Sequence, residues 1–194
     1  MKEVWKGGTL LYPLPAVIVS CGNTVESNLI TVAWTGIVCT NPPMLYISVR
    51  PERFSHALIM ANMQFTVNLT TSSMARATDL CGVKSGRDCD KWELSGLHKS
   101  PGVSVECPSI EESPLSLECR VSSVSHLGSH DMIVANIVDA LADDRYLDEK
   151  TGRFSLEKSG LMCYSHGGYY SVGELIGTFG FSVKKIKRVS HNIC

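Results

Sequence analysis

The chain has 194 residues, with 18 Lys and Arg against 19 Asp and Glu, and 44% of its residues are hydrophobic. A formal net charge of −1 excludes binding to nucleic acid or an anionic membrane by bulk electrostatics, and no apolar run reaches the ~18 residues of a spanning helix. Length and apolar content predict one compact domain over residues 1–194. The first residues, Met1-Lys2-Glu3-Val4-Trp5-Lys6-Gly7-Gly8, lack the apolar core of a secretory signal, so a cytoplasmic location is expected. The eight cysteines form no C-x-x-C and no spacing of zinc or iron–sulfur ligands. They read as thiols used as small core hydrophobes, and no metal is expected.

Apolar residues recur mostly with period two. Ala16–Ser20 is nearly uniformly apolar and predicts a strand buried on both faces. Ile30, Val32 and Trp34 alternate with Thr31, Ala33 and Thr35 and predict one strand through residue 35. Leu45, Ile47 and Val49, then Phe65, Val67 and Leu69, then Leu115, Leu117, Cys119 and Val121 each mark a strand with one apolar face. Met132–Val138 again predicts burial on both faces. Cys21-Gly22-Asn23, Asn41-Pro42-Pro43 and Leu127-Gly128-Ser129 are turn signals. Helices are fewer. Ser55 is a candidate cap for a helix over Ala57–Met60. Ser72 or Ser73 starts a second, ended by Gly82, and Asp88–Leu94 supplies one further turn. Many strands with short helices between them predict a mainly β chain, a β-barrel with helical insertions.

Several chemistries are missing from the sequence. There is no G-x-G-x-x-G, no phosphate-binding P-loop, no G-x-S-x-G and no H-E-x-x-H. His126 and His130 flank Gly128 in a turn and would not share a helix face. Asn68-Leu69-Thr70 reads as strand polarity, and the Lys184, Lys185, Lys187, Arg188 run as a solvated face. Three stretches remain. Asn28–Gly36 sets hydroxyls, backbone groups and an indole along one strand, either for a planar polar ligand or as an ordinary core Trp. Pro43–Ser55 joins Arg50 and a second Arg to a helix start. That is a phosphate site on physical grounds, or a plain Ser cap beside solvent-facing Arg residues. Gly82–Trp92 is a loop able to close over a ligand's polar edge.

These stretches, with F-T-V-N-L at 65–69 and Y-Y-S-V-G-E-L-I-G-T-F-G at 169–180, resemble the flavin reductase-like, FMN-binding split-barrel family, in its flavoredoxin-type branch. The resemblance implies a Greek-key split β-barrel that forms a homodimer with one FMN per subunit. It sets Asn28, Thr31, Ala33, Trp34 and Thr35 along the isoalloxazine and ribityl chain, with Ser48, Val49 and Arg50 on the next strand. Arg50 and Ser55 match the phosphate positions, and Ser85, Gly86 and Lys91 the loop at the flavin's polar edge. A cation at that edge would favour the anionic reduced flavin, with Lys91 the candidate. Cys163 and Tyr164 match a segment that packs on the ring. Because some relatives have an aromatic residue where this chain has Cys163, Tyr164 or Trp34 is the alternative for stacking. The implied activity is an FMN-dependent oxidoreductase. NAD(P)H or a ferredoxin-like protein would be the donor. A non-catalytic flavin-binding or storage module and a cofactor-free structural barrel are the competing classes. The Gly167-Gly168-Tyr169-Tyr170 stretch could pack against a second copy or simply form a loop.

Overall fold

A computed structural model describes residues 1–183; the basic run at 184–188 lies outside the described residues. The strands are β1 (Leu14–Pro15), β2 (Val17–Gly22), β3 (Ser27–Val32), β4 (Thr35–Thr40), β5 (Pro43–Val49) and β6 (Gln64–Leu69). They continue with β7 (Lys99–Ser100), β8 (Ser109–Ile110), β9 (Leu115–His126), β10 (Asp131–Ala142), β11 (Met162–Ser165) and β12 (Gly168–Ser171). Among the described residues three α-helices are inserted: α1 (Phe54–Asn62), α2 (Ala75–Val83) and α3 (Lys91–Ser95).

Seven strands form one antiparallel sheet in the order β3-β2-β6-β9-β10-β5-β4. The edge strands β3 and β4 are consecutive in the chain and separated only by Ala33 and Trp34. Laid flat, seven strands would set the edges roughly 29 Å apart, whereas a two-residue link spans roughly 10 Å. The sheet must therefore curl until its edges approach, and the result is a mainly β split barrel. The Trp34 carbonyl accepts from the Ser48 amide at 2.8 Å, tying the crossing to β5. The single strand expected through residue 35 is thus two, broken where the chain passes from one edge to the other.

Val17, Val19 and Cys21 of β2 point into the barrel with Ile47, Phe65, Cys119 and Ile133, and Leu58 and Ile59 of α1 join them. Ile18 and Leu29 face the opposite way, into a second cluster with Met74, Ala77 and Cys81 and with Trp92 and Leu97. β2 is buried on both faces, as its uniform apolar run predicts. β10 is not: Ile133 and Ala135 are buried, Met132 and Val134 only partly, and Val138 is 39% exposed. Among the described residues the helices pack mainly on β2, β3 and β6. Asn68 is wholly buried and bonds the Ile18 carbonyl, the Ile110 amide and the Ser116 hydroxyl, a polar clamp within the sheet. A smaller sheet in the order β1-β11-β12 lies beside the barrel. It is tied on through the Thr71–Leu161 bridge and the Ser72 amide on the Gly160 carbonyl at 2.9 Å.

The buried thiols have a stability consequence. Burial raises Cys21 from 9.0 to about 12, and Cys81 and Cys107 from 9.0 to about 11. An unfolded chain ionises these thiols first, so their contribution is complete below pH 9 and lost as pH climbs through the folded values. Urea unfolding at pH 10 should give a lower free energy than at pH 8, by about 1 kcal/mol per buried thiol. Replacing Cys21 by Ala should flatten the slope.

Candidate functional site

Two adjoining cavities open along the seam where the sheet edges meet. The larger, about 380 Å³, is lined by the crossing itself and by the end of β5, with α2 on one side and the small sheet on the other. The smaller, about 250 Å³, lies between β3, the start of α1 and the loop after α2. Ile30, Arg50 and Arg53 line both and form the waist between them. Their volumes suit one small organic ligand of roughly 300–1,000 Å³.

The smaller cavity is cationic. Arg50, Arg53, Lys84, Arg87 and Lys91 line it, with Glu52 the acid among them. Arg50 lies 3.5 Å from Glu52, and Arg87 donates to the Glu52 carbonyl at 3.0 Å, joining the loop after α2 to the turn before α1. α1 begins at an extended Arg53 that makes no side-chain cap bond, and its first turn holds no acid. Its leading N–H groups are therefore free of the usual side-chain partner, the arrangement that attracts anions. The Ser cap expected at residue 55 is not present. Ser55 lies inside the helix, buried, and its hydroxyl accepts from Asn28 Nδ2 at 2.8 Å. Gly86 passes so close that a Cβ there would lie 2.4 Å from Asn28 Oδ1 and 2.6 Å from Phe54 Cδ1.

Lys91 belongs to this cationic end. The expectation separated it from Arg50 and Ser55, at a different edge of the ligand; all three line the same cavity. α3 starts at Lys91, capped by Asp90, and the buried ammonium donates to the Leu29 and Cys81 carbonyls, each at 2.8 Å. One N–H is left for the cavity. Burial holds its pKa below the usual lysine value, with the nearby Cys81 and Cys89 opposing that effect.

The larger cavity is aromatic. Trp34 packs on His130, with ring centroids 4.5 Å apart and planes at 42°. Tyr164 and Tyr169 of the β11–β12 hairpin have centroids 5.6 Å apart, and the Tyr169 hydroxyl donates to Asp79 of α2 at 3.3 Å. Burial and the Asp79 charge push Tyr169 up to about 12. His130 is held below the usual histidine value by burial and then by the Arg50 charge, so it is neutral at pH 7.

Of the residues singled out in the sequence, Thr31, Ala33, Trp34, Ser48, Val49, Arg50 and Tyr164 line the larger cavity. Asn28, Arg50, Ser55, Ser85, Gly86 and Lys91 line the smaller. Thr31 spends its hydroxyl proton on the Thr78 carbonyl. Thr35 and Cys163 line neither cavity: Thr35 donates to the Tyr46 carbonyl at 2.6 Å, and Cys163 pairs with Pro15 and Tyr170 in the small sheet. Gly82 does not end α2, which runs on through Val83. A Cβ at Gly82 would meet Thr31 Cβ at 3.3 Å, so this glycine lets helix and strand meet at the cavity wall. His130, Tyr169, Asp79 and Arg87 were not assigned from sequence, and Arg53 only as an Arg before the helix. The basic residues carried a local signal in their closeness to Pro51 and Gly86. His130 and Tyr169 carried none, because strand pairing brings them to the cavity.

Comparison with known proteins follows the same lines. A family model described as a flavin reductase like domain matches residues 9–173. The solved flavoredoxin of Desulfovibrio vulgaris (Miyazaki F) is 27% identical, with a TM-score of 0.86 over 95% of this chain and 100% of that one. Flavoredoxin from Methanosarcina acetivorans is also 27% identical, with a TM-score of 0.85 over the same shares. The uncharacterized protein YddH of Escherichia coli (strain K12) is 28% identical over 188 residues, 95% of each chain.

The two carbonyls held by Lys91 give a test of its placement. Lys91→Met leaves both without their partner in a buried setting and should cost about 2 kcal/mol of stability, measured by urea unfolding of the flavin-free chain. An unchanged midpoint would mean that the ammonium does not hold β3 to α2.

Proposed function

The chain belongs to the flavin reductase-like family, and on that premise we propose that it is an FMN-binding flavoprotein oxidoreductase of flavoredoxin type. The reading is carried by the polarity of the joined cavities, a cationic end and an aromatic end meeting at Ile30, Arg50 and Arg53. FMN has the matching halves, a phosphate dianion and a flat ring system. The donor set fits it. Guanidinium groups, the Lys91 ammonium and the uncapped start of α1 suit a phosphate. Trp34, Tyr164 and Tyr169 offer apolar ring faces, and the close approach at Gly86 leaves its loop backbone against Asn28 and Phe54.

In this reading Arg50, Arg53, Ser55, Ser85, Gly86 and Lys91 hold the phosphate end. Asn28 sets the Ser55 hydroxyl, and Arg87 holds the loop closed against the Glu52 carbonyl. Ala33, Trp34, Ser48 and Val49 border the ring, with Trp34 kept in position by neutral His130. Bound FMN would supply the redox chemistry, accepting electrons from NAD(P)H or a ferredoxin-like protein and passing them to an acceptor. The protein's task is binding, orientation and exclusion of water, which requires no side-chain nucleophile. A homodimer is part of the proposal. Ile37 and Val38 on edge strand β4, with Leu175, Ile176 and Phe179 after β12, are exposed apolar side chains that a second copy would cover.

The test is an anaerobic absorbance spectrum of the purified protein before and after NADH, then NADPH. Flavin bands that bleach support the nicotinamide-reduced oxidoreductase, and bands that persist move the donor to a redox protein. FMN that no donor reduces leaves the storage module, and a protein that takes up no FMN overturns the site. Arg50→Ala should weaken FMN about tenfold while riboflavin, which lacks the phosphate, changes little; equal losses would remove Arg50 from the phosphate end. Sedimentation at the mass of one subunit with FMN bound would remove the dimer.

A further inference from the structure

Behind the cavities lies a carboxylate that neither of them touches. Asp131 opens β10, in register with Val49 at the end of β5 and His126 at the end of β9. Its side chain is only 4% exposed, and it accepts from His56 Nε2 and from His126 Nδ1, each at 2.8 Å. These two bonds, His126 contributing more, hold its pKa below the usual aspartate value, so it is ionised. His56 is the third residue of α1 and largely buried, whereas His126 stands in solvent. Asp131, His56 and His126 line neither cavity, yet their chain neighbours do: Ser55 the smaller and His130 the larger. Arg50, which follows the register partner Val49, lines both.

We propose that Asp131 is a positioning residue for the anion end of the site, acting through His56 on the first turn of α1. The inference rests on the FMN reading. Helices are commonly secured at this end by a capping side chain or an acid in the first turn, and α1 has neither. A carboxylate on the cap itself would occupy the N–H groups that an incoming anion needs. Asp131 instead secures the turn from the barrel wall, through an imidazole outside the cavity lining, and leaves the Phe54 and Ser55 N–H groups without a capping side chain, while the His56 amide closes on the Arg53 carbonyl. His130, the neighbour of Asp131 in the chain, is held instead by the Ser129 hydroxyl at 2.9 Å, so the effect of Asp131 falls on the helix start.

The experiment titrates the full flavin-free chain with FMN and with riboflavin, following flavin fluorescence, for wild type, Asp131→Asn, His56→Gln and the double variant. Positioning predicts that Asp131→Asn weakens FMN about tenfold or more while riboflavin changes less than about threefold. His56→Gln should give the same selective loss, and the double variant no more than either alone, because the two act as one unit. Removing a negative charge would by itself tighten binding of an anion, so tighter FMN binding in Asp131→Asn overturns the proposal. Equal losses for both flavins, or an unchanged preference for FMN, also overturn it. Should Asp131→Asn fail to fold, His56→Gln breaks the same link from the helix side and decides the question. A wild-type chain that binds neither flavin overturns the FMN reading and this inference together. A wild type that prefers FMN, with variants that keep the preference, overturns this inference alone.

Discussion

Strands β3 and β4 follow one another in the chain yet form opposite edges of the same sheet, and the link between them is too short to let those edges part. The curl of the barrel, the seam and both cavities descend from this constraint. A closed barrel would fill the seam with ladder hydrogen bonds, and an open sheet would have no concavity there. Here the edges approach without pairing, so side chains and backbone from β3, the crossing and the end of β5 line a common groove. The helices and the small sheet then wall it on either side.

The groove's two ends differ because different kinds of segment supply them. The cationic end is built from turns and helix starts, where long basic side chains have room. The aromatic end is built from the crossing and the β11–β12 hairpin, where flat rings pack at tilted angles. Lys91 shows how closely scaffold and site are joined. Its ammonium is held by two carbonyls, one from β3 and one from α2, so a charge lining the cavity also fastens helix to sheet. The mainly β class and the family were legible in the chain because both rest on local signals. Period-two alternation marked the central strands, and runs such as 42–55 and 80–92 carry several unusual residues in fixed order. The local reading failed where a distant partner decided the outcome. Ser55 looks like a cap until Asn28, 27 positions away, claims its hydroxyl. Met132–Val138 looks buried on both faces until the fold leaves its outer face without a helix packed on it among the described residues. His130 reads as one half of a turn until the β5–β10 register carries it to the cavity wall beside Trp34. Nothing in the residues around Lys91 states that its side chain reaches two backbone carbonyls.

The bare start of α1 has a consequence for the life of the folded chain. In the proposed reading an anion would settle beside the Phe54 and Ser55 N–H groups and add to a turn that the His56 amide already closes on the Arg53 carbonyl. Occupancy and stability would then be linked: each tenfold rise in free ligand above its dissociation constant would add about 1.4 kcal/mol to the folded state. Abundance of the protein would follow the supply of the molecule it binds, with empty chains the first to be cleared.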